Sequence, residues 1–220
     1  MLGFLSNSAS LKLALAAPAL FLCLPSAGAA ISAVPQSAPV SPTGTDPESS
    51  SMLSTGTLLV NGAPTAFVIR RLPVSSFPAL PDQIAAELAA RNCMIPQTWQ
   101  AHRPENVVEG SFERSGSQDW AILCSANGQT SLLVFFASGS ANQPVALAHN
   151  AELSRLQPHN ASGELGFNWG IDAATPKQLH DALDGRQQPN HDSIADSVID
   201  RTTLYHLYSN GKWVQFRVDE

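Results

Sequence analysis

Three runs decide the fold: Val107-Val108-Glu109-Gly110-Ser111-Phe112, Asp119-Trp120-Ala121-Ile122-Leu123-Cys124 and Ser131-Leu132-Leu133-Val134-Phe135-Phe136-Ala137. Ser115-Gly116 and Asn127-Gly128 separate them, and turns this short join antiparallel neighbours. Side chains alternate across a strand, so Trp120, Ile122 and Cys124 share one face of the second run. The third run is apolar at every position from Leu132 to Ala137, the pattern of a central strand covered on both sides.

What could cover it lies outside these runs. Leu80-Pro81-Asp82 opens a short helix, with proline at the first position and an acid beside the positive end. Ile84, Ala85, Leu88 and Ala89 form its apolar stripe, and Asn92 ends it just before Cys93. A second helix starts at Thr175-Pro176-Lys177-Gln178, a capping box with proline at N1, and stops at Gly185, with Leu179, Ala182 and Leu183 facing inward. Asn61-Gly62 between Leu58–Val60 and Ala66–Ile69, and Asn210-Gly211 between Thr203–Tyr208 and Lys212–Val218, predict two hairpins. The expected fold class is α+β: a mainly antiparallel sheet of about six strands, two short helices packed on it, and one disulfide.

The N-terminus predicts export. Leu13 to Leu24 is an uncharged apolar run preceded only by Lys12, and Ser26-Ala27-Gly28-Ala29-Ala30 offers small residues for cleavage after Ala29. The run is shorter than the roughly 20 apolar residues of a bilayer span, and Pro18 and Pro25 break a core helix. The expected organisation is therefore a signal peptide over 1–29, a disordered Pro/Ser/Ala-rich spacer over 30–56, and one domain over 57–220, in a periplasmic or secreted protein with no integral membrane segment after cleavage. Cys23 leaves with the signal. Cys93 and Cys124 remain, and in an oxidising compartment such a pair predicts a disulfide pinning the first helix to the face of Trp120 and Ile122.

Of 12 basic and 18 acidic side chains in the whole chain, cleavage removes Lys12 and leaves a formal charge of −7. That sign, with Arg70-Arg71 as the densest basic site, disfavours nucleic acid and anionic membrane surfaces as partners.

Two stretches carry candidate chemistry. Ser111, Glu113, Ser115, Gly116 and Asp119 stand at positions one, three, five, six and nine of a polar loop that runs into the apolar strand Trp120-Ala121-Ile122-Leu123. This loop resembles the FG-GAP/VCBS repeat of integrin-type propellers, which places oxygen ligands for calcium at positions one, three, five and nine. The resemblance covers 111–123, has serine where the first acid is usual, and makes Glu113, Ser115 and Asp119 candidate calcium ligands; the competing reading is a polar hairpin turn capped by Asp119. Calcium takes six to eight oxygens, several of them charged, and the loop offers two carboxylates.

The second stretch is His191, Asp192, Asp196 and Asp200. On a helix the three acids share one face at i, i+4 and i+8, and with His191 they would suit a divalent metal or an acid–base pair. His191, Asp192 and Asp196 are thus the catalytic candidates, with Ile194, Val198 and Ile199 as an apolar stripe that would make the acids an ordinary solvated face. The other histidines (His102, His149, His159, His180 and His206) show no His-x-His or His-x-x-x-His spacing. No Gly-x-Ser-x-Gly elbow or phosphate loop occurs in the sequence, and no cofactor is expected. Trp99, Trp120, Trp169 and Trp213 raise a carbohydrate-stacking surface, with Trp120 assigned to the core and Trp213 to the polar side of its strand. Asn160-Ala161-Ser162 matches a glycosylation sequon. As a whole the chain resembles exported bacterial proteins, and the expected function is a non-catalytic binding or interaction domain for a protein or small-molecule ligand. The alternatives are a small metal-dependent hydrolase and a degenerate calcium-binding loop.

Overall fold

The computed structural model describes residues 51–219, so the expected signal and the spacer up to residue 50 lie outside the described residues. The chain is mostly β, with two α-helices and the Cys93–Cys124 disulfide. The strands are β1 (Met52–Val60), β2 (Ala63–Pro73), β3 (Met94–Gln97), β4 (Val107–Gly110), β5 (Asp119–Ala126), β6 (Gln129–Phe135), β7 (Val145–Ala151), β8 (Leu156–Pro158), β9 (Leu165–Phe167), β10 (Trp169–Ala174), β11 (Ser193–Val198), β12 (Thr202–Ser209) and β13 (Lys212–Asp219). The helices are α1 (Asp82–Ala90) and α2 (Pro176–Ala182). The expected single sheet of about six strands is corrected: β1–β9 form a nine-stranded sheet and β10–β13 a four-stranded one. β1 also reaches back beyond Thr57 into the stretch read as spacer.

The three deciding runs become β4, β5 and β6, paired antiparallel in sequence. Their two faces enter different cores. Trp120, Ile122 and Cys124 of β5 and Leu133 and Phe135 of β6 pack with Leu80, Ile84 and Leu88, so α1 covers this face. On the other face Ala121, Leu123, Leu132 and Val134 meet Trp169, Ile171 and Ile194, so the four-stranded sheet covers that one. Both sides of β6 are buried, as its sequence requires.

The disulfide joins the residue after α1 to the helix-covered face of β5, with Cα atoms 5.1 Å apart. Asn92 takes a positive φ of 56°, and the Cys93 N–H bonds back to the Leu88 carbonyl, closing the helix end at the disulfide. The outer face of the four-stranded sheet takes α2 through Leu179, Leu183 and Leu207. Thr175 and Gln178 complete the expected capping box. Asn61-Gly62, Asn127-Gly128 and Asn210-Gly211 all hold paired positive φ, the type I′ geometry that suits the twist of the strands they join.

A buried ion pair ties distant elements of the large sheet. Arg71 on β2 forms a two-pronged salt bridge to Glu152, which follows β7, and Glu152 also accepts from the Ser125 hydroxyl on β5 at 2.7 Å. Glu152 is 2% exposed. No helix among the described residues is long and apolar enough to cross a membrane.

Replacing Cys93 and Cys124 together by serine is expected to lower unfolding stability by about 3–4 kcal/mol, because the bridge closes a loop of 31 residues. Denaturant titration measures this, and a loss below about 1 kcal/mol would show that the bridge does not brace α1. Glu152→Ala strands the Arg71 charge and is expected to cost about 3–5 kcal/mol, more than Glu152→Gln; equal losses would contradict a charge-based role.

Candidate functional site

The 191–200 segment is a strand, not a helix. β-branched Ile194 and Val198 suit β11, which pairs with β10 and β12. With period two, Asp196 lies on the same face as Ile194, inside the interlayer core, instead of on a solvated face opposite the apolar stripe. Asp200 falls beyond the strand end with a φ of 56°. The three catalytic candidates therefore separate. The His191 Nδ1 lies 3.0 Å from the Asp192 carbonyl oxygen. Asp192 exchanges bonds with Ser111, its carboxylate accepting from the Ser111 N–H and its own N–H donating to the Ser111 carbonyl.

Asp196 finds other partners. Its Oδ1 accepts from the Trp169 indole N–H at 2.6 Å, and its Oδ2 lies 3.2 Å from His206 Nε2. A carboxylate only accepts, so the His206 proton sits on Nε2, and the Gln215 amide, 3.2 Å from Nδ1, donates there. The Arg155 guanidinium stacks 4.2 Å from the Trp169 ring centre. Burial lowers the Arg155 pKa from its ordinary value, and the nearby Asp196 charge partly offsets this. His206 is 0% exposed and has a partner on each ring nitrogen, so it offers no free nitrogen to an entering substrate. The network satisfies polar groups between two sheets, where an unpaired one is costly.

The calcium candidates are likewise occupied within the protein. Asp119 is fully buried; one oxygen accepts from the Glu113 N–H (2.7 Å) and the Ser117 hydroxyl (2.5 Å), the other from the Ala137 N–H (2.8 Å). Glu113 accepts from the Ser138 hydroxyl and pairs with Arg114. The Ser115 position belongs to the turn that Gly116 makes at φ 78°. Asp119 thus closes the loop onto the end of β6. Among the described residues no group of three or more His, Cys, Asp or Glu side chains is placed to hold a metal.

The tryptophans sort differently from their sequence setting. Trp120 and Trp169 are core. Trp213, assigned to the exposed side of β13, is half-buried against Phe136 and Tyr208, because the segment after β6 covers that end of the strand. Trp99, which follows β3, borders a cavity. Its ring stacks on His159 from the β8–β9 turn, with centroids 5.4 Å apart and planes 23° from parallel. The Trp99 backbone N–H donates to the Phe167 carbonyl and anchors the residue. Gly166 permits the approach: a Cβ there would stand 2.6 Å from Trp99 Cβ and 2.9 Å from the His159 ring.

The Trp99–His159 pair is shared by two grooves. The larger, of about 570 Å³, is rimmed by Gln157, Asn160, Asp200 and Arg201. The smaller, of about 270 Å³, adds Leu53, Arg70, Thr98 and Glu164. Asn160 and Glu164 hold each other through the Asn160 amide, and Gln100 reaches Asp200 at 3.4 Å, which fixes parts of the rim in place. Sequence reasoning had Trp99 in view only as one of four tryptophans; its partners come from the β8–β9 and β11–β12 turns and from strands β1, β2 and β8. No family model, curated protein or solved structure matches this chain, and its own geometry carries the functional reading.

Asp196→Ala strands the Trp169 and His206 donors and is expected to cost about 1–3 kcal/mol for each of them in urea unfolding. Gln215→Ala, on the exposed edge strand, should cost clearly less. Unchanged stability in Asp196→Ala would contradict the bracing role and return Asp196 to the catalytic candidates.

Proposed function

We propose that this chain is an exported, non-catalytic binding domain, periplasmic or secreted, whose ligand seats against the stacked Trp99–His159 pair. The observation that supports this reading is the coincidence of one aromatic platform with two adjoining grooves. Ligand sites combine apolar or aromatic surface with a few placed polar groups, and here the rim supplies both donors and acceptors. Arg201 donates and Asp200 and Glu164 accept, while Gln157 and Asn160 are held in place by their own bonds to Ile199, Asn168, Ser162 and Glu164. A flat ring face for the aromatics and hydroxyls for the rim describe a small polyhydroxylated ligand, a mono- or oligosaccharide.

The hydrolase alternative draws less support, since His191, Asp192 and Asp196 each serve a separate structural bond. The calcium alternative is weakened by the three protein donors already on Asp119.

Ligand-observed NMR with a panel of neutral and acidic mono- and oligosaccharides tests the reading. Binding by at least one sugar class is expected, with affinity falling about tenfold or more in Trp99→Ala, as the loss of an aromatic platform implies. His191→Ala should bind like the wild type. Binding that survives Trp99→Ala, or no binding by any sugar in the panel, would sink the proposal.

A further inference from the structure

We infer that β1 is a self-pairing edge through which two copies of this chain join their nine-stranded sheets in a two-fold dimer. β1 pairs with β2 along its whole length, from Met52↔Arg71 to Val60↔Ala63, and its opposite edge has no backbone partner among the described residues. An open edge is a template for another strand, and proteins guard such edges with charges, proline, bulges or short length. β1 has none of these: nine residues, Met52-Leu53-Ser54-Thr55-Gly56-Thr57-Leu58-Leu59-Val60, with no charge, no proline and an unbroken register. The long edge strand of the smaller sheet, β13, contrasts with it and carries Lys212, Arg217 and Asp219.

The sequence of β1 also selects the occupant. Read backwards it nearly repeats itself about Gly56. Antiparallel pairing with a second copy centred there sets Leu53 against Leu59 of the partner subunit, Thr55 against Thr57 of the partner subunit, and Met52 against Val60 of the partner subunit. A two-fold axis makes each pair occur twice, as a self-complementary interface requires. Leucine pairs and threonine pairs across strands both stabilise a sheet. The apolar members are the side chains this surface leaves most uncovered: Leu59 is 77% exposed, Leu53 60% and Met52 53%. Gly56, at the centre, is covered on one face by the Phe67 ring, which a Cβ at that position would meet at 2.6 Å. The axis therefore falls where two backbones can approach without opposing side chains. At about 3.3 Å per residue the shared edge is about 30 Å long, the same length as the β1–β2 pairing it would extend.

Thr55 and Thr57 are exposed and make no side-chain bond that the fold uses, which gives a test of register as well as of association. Sedimentation velocity of the purified protein should show a particle of twice the chain mass. In Thr55→Lys/Thr57→Lys the pairing places lysine opposite lysine twice, and dimerisation is expected to weaken about tenfold or more. In Thr55→Lys/Thr57→Glu the same register places lysine opposite glutamate twice, and the dimer should return. Circular dichroism confirms that each variant is folded. A wild type that stays monomeric up to about millimolar concentration overturns the inference. So does a double-lysine variant that dimerises like the wild type, or a lysine–glutamate variant that fails to recover the dimer. None of these outcomes depends on whether a sugar binds at Trp99.

Discussion

The pairing of β5 with β6 is the constraint on which the other layers depend. Trp120 opposes Phe135 and Ile122 opposes Leu133 on one face, while Ala121 opposes Val134 and Leu123 opposes Leu132 on the other. Two strands apolar on both faces cannot leave either one in water, because each large side chain so exposed forfeits about 1.5–3 kcal/mol. One face takes α1, locked by the disulfide. The other takes the four-stranded sheet, whose own outer face then needs α2. The succession of helix, sheet, sheet and helix follows from that single demand.

Burying a sheet against a sheet also buries polar groups, and those need partners from the chain itself. Asn106, 1% exposed and at a φ of 70°, shows how this is met. Its side-chain amide donates to the Pro96 and Trp169 carbonyls and accepts from the Ile171 N–H, so one residue hydrogen-bonds the free edge of β10 as a strand would. The Trp169–Asp196–His206–Gln215 chain does the same for side chains. Residues with catalytic potential in isolation are thereby spent on closing the interlayer. The polar and aromatic groups left facing the grooves lie on the loops beyond the strand ends, which the sheets hold in position. Trp99, His159, Asp200 and Arg201 come from such loops.

The large sheet ends differently on its two sides. At β7 the chain turns into Glu152, whose ion pair with Arg71 reaches back across the layer. At β1 it ends in an uncharged strand with leucines turned outward. Among the described residues the other margins of this sheet are shorter or irregular: β8 has three residues and β7 pairs with β6 across a register shift, whereas β1 runs nine residues in unbroken register.

Local patterns made much of this legible in the sequence. Period-two alternation in β5 assigned Trp120 and Ile122 to the helix face, and the cysteine pair named the brace. Asn-Gly dipeptides and the Thr175 box marked turns and a helix start, since these signals act within a few residues. Beyond that range the sequence was ambiguous. Strands as short as β3, β8 and β9 carry too few residues for a period, so the strand count was low. Ile194-Ala195-Asp196 fits a helix or a strand, and only the neighbours β10 and β12 decided it. The Trp99 groove was invisible for the same reason: its residues lie far apart along the chain and meet only because Gly166 and the sheet order bring them there. The sequence by itself determined which faces must be buried, through side-chain period and composition. The tertiary structure alone decided which polar residues those faces would consume and which would line the open grooves, because hydrogen-bond partners distant in sequence are set by packing.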